Sequence, residues 1–118
     1  MKLIIGSKLY IAGPMTGRIE YNVPAFMELA NYLRRMGYVV RNPAEINPDP
    51  SEEYGTMMRR CFVALMDCHA IVMLPGWETS RGAMAEFVAA TAANIPCFDP
   101  WFNQIKSKVT ISLQGILV

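Results

Sequence analysis

Apolar and polar positions along the chain follow two alternating rhythms. Short β-prone runs are separated by longer stretches in which apolar residues recur every three to four positions. Lys8–Ala12 (KLYIA) reads as a first strand, and Gly13-Pro14 stops it, so Gly13–Arg18 is a loop. Asn22 is placed as an N-cap with Pro24 in the first turn; Phe26, Leu29, Ala30, Leu33 and Met36 then share one face, with Glu28, Asn31, Arg34 and Arg35 opposite. Gly37 stands where a helix-ending glycine belongs. Tyr38–Val40 is a second strand, ended by Arg41-Asn42-Pro43, and the prolines up to Pro50 predict a stretch without regular structure. A second helix is predicted over Ser51–Asp67, with Ser51-Glu52-Glu53 supplying an acidic first turn. Its stripe is Tyr54, Met58, Cys61, Leu65 and Cys68, and Arg59 and Arg60 lie off it. Ala70–Leu74 is a continuous apolar strand stopped by Pro75-Gly76, Ser80–Asn94 a third helix with Ser80 as N-cap, and Ile95–Phe98 a fourth strand.

Strands alternating with helices of this length require right-handed crossovers, and hence a parallel sheet covered on both faces. The fold class expected is α/β, a Rossmann-like (flavodoxin-like) three-layer parallel sheet in a single domain spanning residues 1–118. Residues 103–118 break the rhythm: Lys106–Leu113 alternates polar and apolar residues and the last four are nearly all apolar. That tail reads either as an extra edge strand or as a segment that orders against a partner subunit.

Composition narrows the function classes. The chain is 53% hydrophobic and 18% charged, yet its apolar runs fall far short of the ~20 residues of a membrane helix, so no membrane partner is expected. Eleven basic against ten acidic residues leave a net charge of +1, too little to draw nucleic acid; a bound anion must be caught locally. The first residues do not read as a secretory leader. Cys61, Cys68 and Cys97 show no paired spacing and the single histidine, His69, has no ligand cluster around it, so neither disulfide, metal nor cofactor is expected, and a reducing cytoplasmic setting suits the thiols. Nine methionines and the Gly115–Val118 end give a surplus of apolar side chains. The surplus either thickens the core or is buried in a homodimer or homotetramer, with Met57, Met58 and Phe62 as candidate interface positions.

In an open parallel sheet ligands bind beyond the carboxyl ends of the strands, where strand order reverses. Three predicted loops meet there: Gly13–Arg18, Asn42–Ile46 and Pro75–Ser80. In the first, Gly13, Pro14, Met15, Thr16, Gly17 and Arg18 combine close backbone approach with a hydroxyl and a guanidinium, fit for a phosphate or equally for a tight turn. In the third, Trp77 after Gly76 is a ring that either stacks on a base or plugs the end of the sheet. Ser80, with the amides of Arg81 and Gly82, opens a helix N-terminus. Glu86 is the one carboxylate between Ser80 and Asn94 and shares a helix face with Ala83, Ala90 and Ala93. Small neighbours of that kind imply a carboxylate pointing into a pocket, where pKa perturbation and catalysis concentrate; the alternative is an acid serving the helix dipole.

The residues YIAGPMTG (Tyr10–Gly17) and LPGWETSRGAMAE (Leu74–Glu86) resemble the two signatures of a small phage and bacterial domain family of unknown function. That family is related to the nucleoside 2-deoxyribosyltransferases and the 2′-deoxynucleoside 5′-phosphate N-hydrolases. The resemblance spans about Leu9–Pro100 and implies cleavage of an N-glycosidic bond in a small-molecule deoxynucleotide by a homo-oligomer. By the same resemblance Glu86 is the nucleophile, Tyr10 orients it, Gly13 belongs to the phosphate loop, and Ser80 favours a 5′-phosphate over a free hydroxyl. From the loops at the strand ends, Asn42, Gly76, Trp77 and Gly82 join the expected substrate site. Two positions depart from the pattern: Cys61 stands where relatives carry an acid that handles the base proton, and His69 where an Asp opens the third strand. A nucleotide-binding or sensing module on the same fold is the alternative to an enzyme.

Overall fold

The computed structural model describes residues 3–106. Four parallel strands, β1 (Lys8–Ala12), β2 (Val39–Arg41), β3 (Ala70–Met73) and β4 (Cys97–Phe98), lie side by side in the order β2-β1-β3-β4. Leu9 sits opposite Val40 on one side and Ala70 on the other, which fixes both registers about β1. The chain goes from β1 outward to β2, then crosses back to β3 on the far side. Strand order therefore reverses between β1 and β3, and the loops leaving those two strands diverge there. The Rossmann-like α/β class expected from the alternation of elements is the one observed.

Period-two alternation in the central strands sorts the core into two layers. Leu9 and Ile11 of β1 with Ala70 and Val72 of β3 face α1 (Val23–Arg35), whose Phe26, Leu29, Ala30 and Leu33 cover them. Tyr10 and Ala12 with Ile71 and Met73 point the other way, towards α3 (Tyr54–Met66) and α4 (Arg81–Ala92). That alternation places the one polar side chain of the strand core, Tyr10, under α4.

The helix ends show where local signals held and where they were overridden. Gly37 ends α1 with φ +99°, its N–H on the Arg34 carbonyl and that of Tyr38 on the Leu33 carbonyl, a left-handed closure that any Cβ would strain. Asn22 precedes α1 but does not cap it; its amide donates instead to the Pro14 carbonyl at 2.9 Å and braces the loop after β1. The prolines after β2 do not exclude regular structure. Pro43 opens a four-residue helix, α2 (Pro43–Ile46), at the position where its missing N–H costs nothing, and Asn42 Oδ1 caps it by accepting from the Ala44 N–H. Helix α3 begins three residues later than the acidic run predicts: Glu53 accepts from the Thr56 N–H, while Ser51 is spent on a turn around Asp49. Past β4, Phe98 and Gln104 form an antiparallel bridge; the rest of the predicted tail strand, from residue 107, lies outside the described residues. None of the described helices is long and apolar enough to cross a membrane.

Candidate active site

Helix α4 starts at the carboxyl end of β3, and Ser80 Oγ caps it by accepting from the Ala83 N–H at 3.2 Å. One turn on, Ala83, Glu86, Phe87 and Ala90 form its buried face, Ala93 having turned outward. The alanines let α4 settle close to the sheet, and this brings the Glu86 carboxyl, 5% exposed, onto the hydroxyl of the fully buried Tyr10. The two hydrogen-bond through Glu86 Oε2, across 76 residues of sequence. Beside them lies Cys61, from the buried face of α3, in the same core cluster as Tyr10 and lining the same cavity as Glu86.

Burial controls the charge of all three groups. It pushes the Glu86 carboxyl up to about 8, an effect that the hydrogen bond from Tyr10 only partly offsets. Burial, and after it the neighbouring Glu86 charge, raises Tyr10 well above its ordinary value. Burial pushes the Cys61 thiol up to about 11. At neutral pH the cluster therefore rests with its protons on.

Above the cluster opens a cavity of about 420 Å³, a size usual for small-molecule sites. Glu86 and Ala83 of α4 and Cys61 and Met58 of α3 contribute to its lining. Met15, Thr16 and Tyr21 bound one side, and the segment from Asn47 to Tyr54 bounds the other. Arg60 ties that second wall down: it bonds both Glu52 oxygens at 2.7 and 2.8 Å and donates to Asn47 Oδ1 at 3.1 Å. Asn47 Nδ2 in turn donates to the Met57 carbonyl and to Cys61 Sγ, the latter at 3.3 Å.

Of the residues singled out in the sequence, Gly13, Met15, Thr16, Ser80, Gly82 and Glu86 line this cavity, and Tyr10 reaches it through Glu86. The others stand elsewhere. Pro14 is buried under its loop. Gly17 and Arg18 are exposed, with the Arg18 guanidinium lying against Gly76, where a Cβ would come within 2.8 Å of it. Trp77 is half-buried and packs on Phe87 with ring centroids 4.7 Å apart, so it closes the end of the sheet and offers no stacking face to the cavity. Asn42 is buried, its Oδ1 capping α2 and its Nδ2 on Met27 Sδ at 3.3 Å. Of the candidates for a subunit contact, Met57 and Met58 line the cavity, and Phe62 is half-buried on α3. His69 is exposed at the opposite end of the sheet, where its Nδ1 accepts the Lys8 N–H.

The Asn47–Tyr54 wall was not foreseen as part of the site, nor was Tyr21. Its signal was a proline-rich run, Asn47-Pro48-Asp49-Pro50, next to a helix start, read only as irregular chain. Among the described residues no group of three or more His, Cys, Asp or Glu could hold a metal ion.

The fold and site together define a three-layer α/β domain with a buried, hydrogen-bonded carboxyl in a cavity at the strand-order reversal. The chain belongs to the family described as Domain of unknown function (DUF4406), which it matches over residues 7–98. Among solved structures it is similar to a 2-deoxyribosyltransferase from the psychrotolerant bacterium Bacillus psychrosaccharolyticus, with a TM-score of 0.64 and 19% identity over 90% of this chain and 81% of that one. A likeness at that identity is one of fold. None of the curated proteins matches.

Proposed function

We propose that this protein breaks the N-glycosidic bond of a 2′-deoxynucleoside 5′-monophosphate, with Glu86 as nucleophile at the anomeric carbon. The observation that carries the reading is Glu86 itself, an acidic side chain desolvated at the edge of a ligand-sized cavity and held by Tyr10. Burying a carboxyl costs stability, and the fold gains no packing from it that an apolar residue would not give. The deoxyribosyltransferase named for the similar fold supports the substrate class. Attack by the carboxylate oxygen on C1′ would expel the base and leave a glycosyl ester, which water or a second base then resolves; two smaller barriers replace one large one. The 5′-phosphate would lie towards Ser80, where the N–H groups of Arg81 and Gly82 open the twelve-residue helix α4 and the Gly13 backbone approaches closely.

Incubating the protein with each deoxynucleoside monophosphate and separating free base by chromatography tests the proposal. Base should be released, and the monophosphate should bind at least ~10-fold tighter than its nucleoside, about 1.4 kcal/mol. Tight binding with no base released would favour the second reading, a nucleotide-binding module; the resting proton on Glu86 is what gives that reading weight.

We also propose assembly into a homodimer or a dimer of dimers. With Met57 and Met58 lining the cavity, the outer apolar side chains of α3 include Val63 and Met66, 75% and 46% exposed, and the half-buried Phe62, a surface that a second copy would cover. Light scattering at micromolar concentration should give a multiple of 13.2 kDa; the mass of one chain would remove the idea.

A further inference from the structure

The turn that leads into α1 is built against the preferences of its residues. Glu20, Tyr21 and Asn22 follow one another in the left-handed region, with φ of +52°, +52° and +60°, and none of them is a glycine. There the Cβ crowds the following carbonyl oxygen, so single residues visit the region and runs do not. Packing does not offset the crowding, because every residue from Thr16 to Tyr21 is exposed, Ile19 by 90%. What the turn achieves is to bring Tyr21, 48% exposed, to the rim of the cavity. We infer that Tyr21 is the platform on which the nucleobase stacks.

This rests on the nucleotide reading above and on the surroundings of the ring. Three aromatic side chains line the cavity: Tyr21, Phe26 and Tyr54. Phe26 is fully buried in the core between α1 and the sheet. Tyr54 already has a partner, the Arg81 guanidinium, 5.5 Å from its ring centre. Trp77, the ring that the sequence offers for a base, is packed on Phe87. Among the described residues Tyr21 pairs with no other ring and holds no cation, so its face is the one left to the cavity. The turn is braced around it: Asn22 Nδ2 donates to the Pro14 carbonyl at 2.9 Å, and the Tyr21 N–H donates to the Arg18 carbonyl at 3.0 Å. Fixing the backbone at position 21 before a ligand arrives reduces the ordering that binding would otherwise require.

A ring face holds a base whichever base it is. Every nucleobase has a π-face, so stacking contributes affinity without reading the donors and acceptors along the base edge. The polar side chains of the other wall are turned to one another: Arg60 bonds both Glu52 oxygens and Asn47 Oδ1, and Asn47 Nδ2 donates to the Met57 carbonyl and Cys61 Sγ. Around them Pro48, Pro50, Met57 and Met58 add apolar surface to the lining. A site of this make-up grips a planar base by its faces. Purine monophosphates, with the larger faces, are therefore expected to bind more tightly than pyrimidine ones, whatever their exocyclic groups.

The test measures binding to the full chain carrying Glu86→Gln, so that substrate is not consumed. Two probes are compared: deoxyadenosine monophosphate, and deoxyribose 5-phosphate, which keeps the sugar and phosphate and lacks the base. Adding Tyr21→Ala should weaken the nucleotide by about 10-fold or more and leave the sugar phosphate within about twofold. Tyr21→Phe, which keeps the ring face, should recover the affinity. Because glycine adopts the left-handed region without crowding, Tyr21→Gly should melt about 2–5 °C above Tyr21→Ala and yet bind the nucleotide no better, which separates loss of the ring from loss of the fold. Unchanged nucleotide affinity in Tyr21→Ala would overturn the inference. So would an equal loss of both probes, a Tyr21→Phe that recovers nothing, or a Tyr21→Gly that melts below Tyr21→Ala. Base release by the chain with Glu86 in place tests the glycosidase reading separately. Release that continues in Tyr21→Ala at an unchanged KM keeps that reading and removes the platform; nucleotide held through Tyr21 with no release keeps the platform and removes the glycosidase. If the nucleotide does not bind even with Tyr21 present, both fall.

Discussion

Glu86→Gln is expected to lower base release by about 10³-fold or more while making the folded protein more stable above neutral pH. The activity loss follows because an amide oxygen cannot form the glycosyl ester, and removing a nucleophile costs several kcal/mol of transition-state stabilisation. The stability gain follows from proton linkage. With its carboxyl pushed up to about 8 by burial, Glu86 holds a proton in the folded state across a range where the unfolded chain, titrating near ~4.3, has lost it. The associated stability is fully present below the unfolded value and is lost as pH rises through about 8, when a charge is forced into the buried site. Glutamine has no such charge, so the melting temperatures of variant and unaltered protein should lie close at pH 5 and separate by several degrees at pH 9, the variant higher. Turnover that survives in Glu86→Gln would end the nucleophile assignment. Parallel melting curves at both pH values would show that Glu86 is better solvated than its surroundings suggest.

Gly13→Val should destabilise the fold and close the site together. A Cβ at position 13 would stand 2.8 Å from Leu74 Cβ, nearer than real Cβ contacts come, and 3.3 Å from Phe26 Cζ, tighter than most, and both neighbours are buried. Relief requires the loop after β1 to move off β3, and overpacking of this kind costs about 1–3 kcal/mol. At roughly 4–8 °C per kcal/mol for a domain near this size, melting should fall by about 5–20 °C. Because Gly13, Met15 and Thr16 line the cavity, the same shift should weaken nucleotide binding. Combining Gly13→Val with Leu74→Gly should cost less than the two singly, since removing the Leu74 Cβ relieves the nearest clash. Strict additivity in denaturant melts, or an unchanged melting temperature in Gly13→Val, would show that the loop yields without strain.

Local rules made much of the fold and part of the site legible in the sequence. Short β-prone and continuous apolar runs stopped by Gly and Pro marked the strands, the Phe26–Leu33 stripe marked α1, Gly37 marked its end, and Ser80 marked the start of α4. Each depends on neighbours a few residues away. A lone carboxylate on an alanine-rich helix face could likewise be recognised as misplaced for a plain core, because nothing nearby would satisfy it. Where local signals competed, the sequence by itself was ambiguous. Asn22 and Asn42 both stand before helices with proline in the first turn, yet only Asn42 caps, since the Pro14 carbonyl comes within reach of Asn22 once the β1 loop is folded. Trp77 was as suited to a base as to a core until Phe87, ten positions further on, turned beneath it. The cavity's second wall depends on Arg60 reaching Glu52 and Asn47 across a proline-rich turn, and the cluster of Glu86, Tyr10 and Cys61 joins three elements from far-separated parts of the chain. Contacts at such separation leave no periodic trace, because the loop entropy spent to form them is repaid by the whole packed sheet and by no local pattern. The sequence thus determined which side chains were available for chemistry, and the crossover from β2 to β3, with α4 pressed close by its alanines, decided which of them meet.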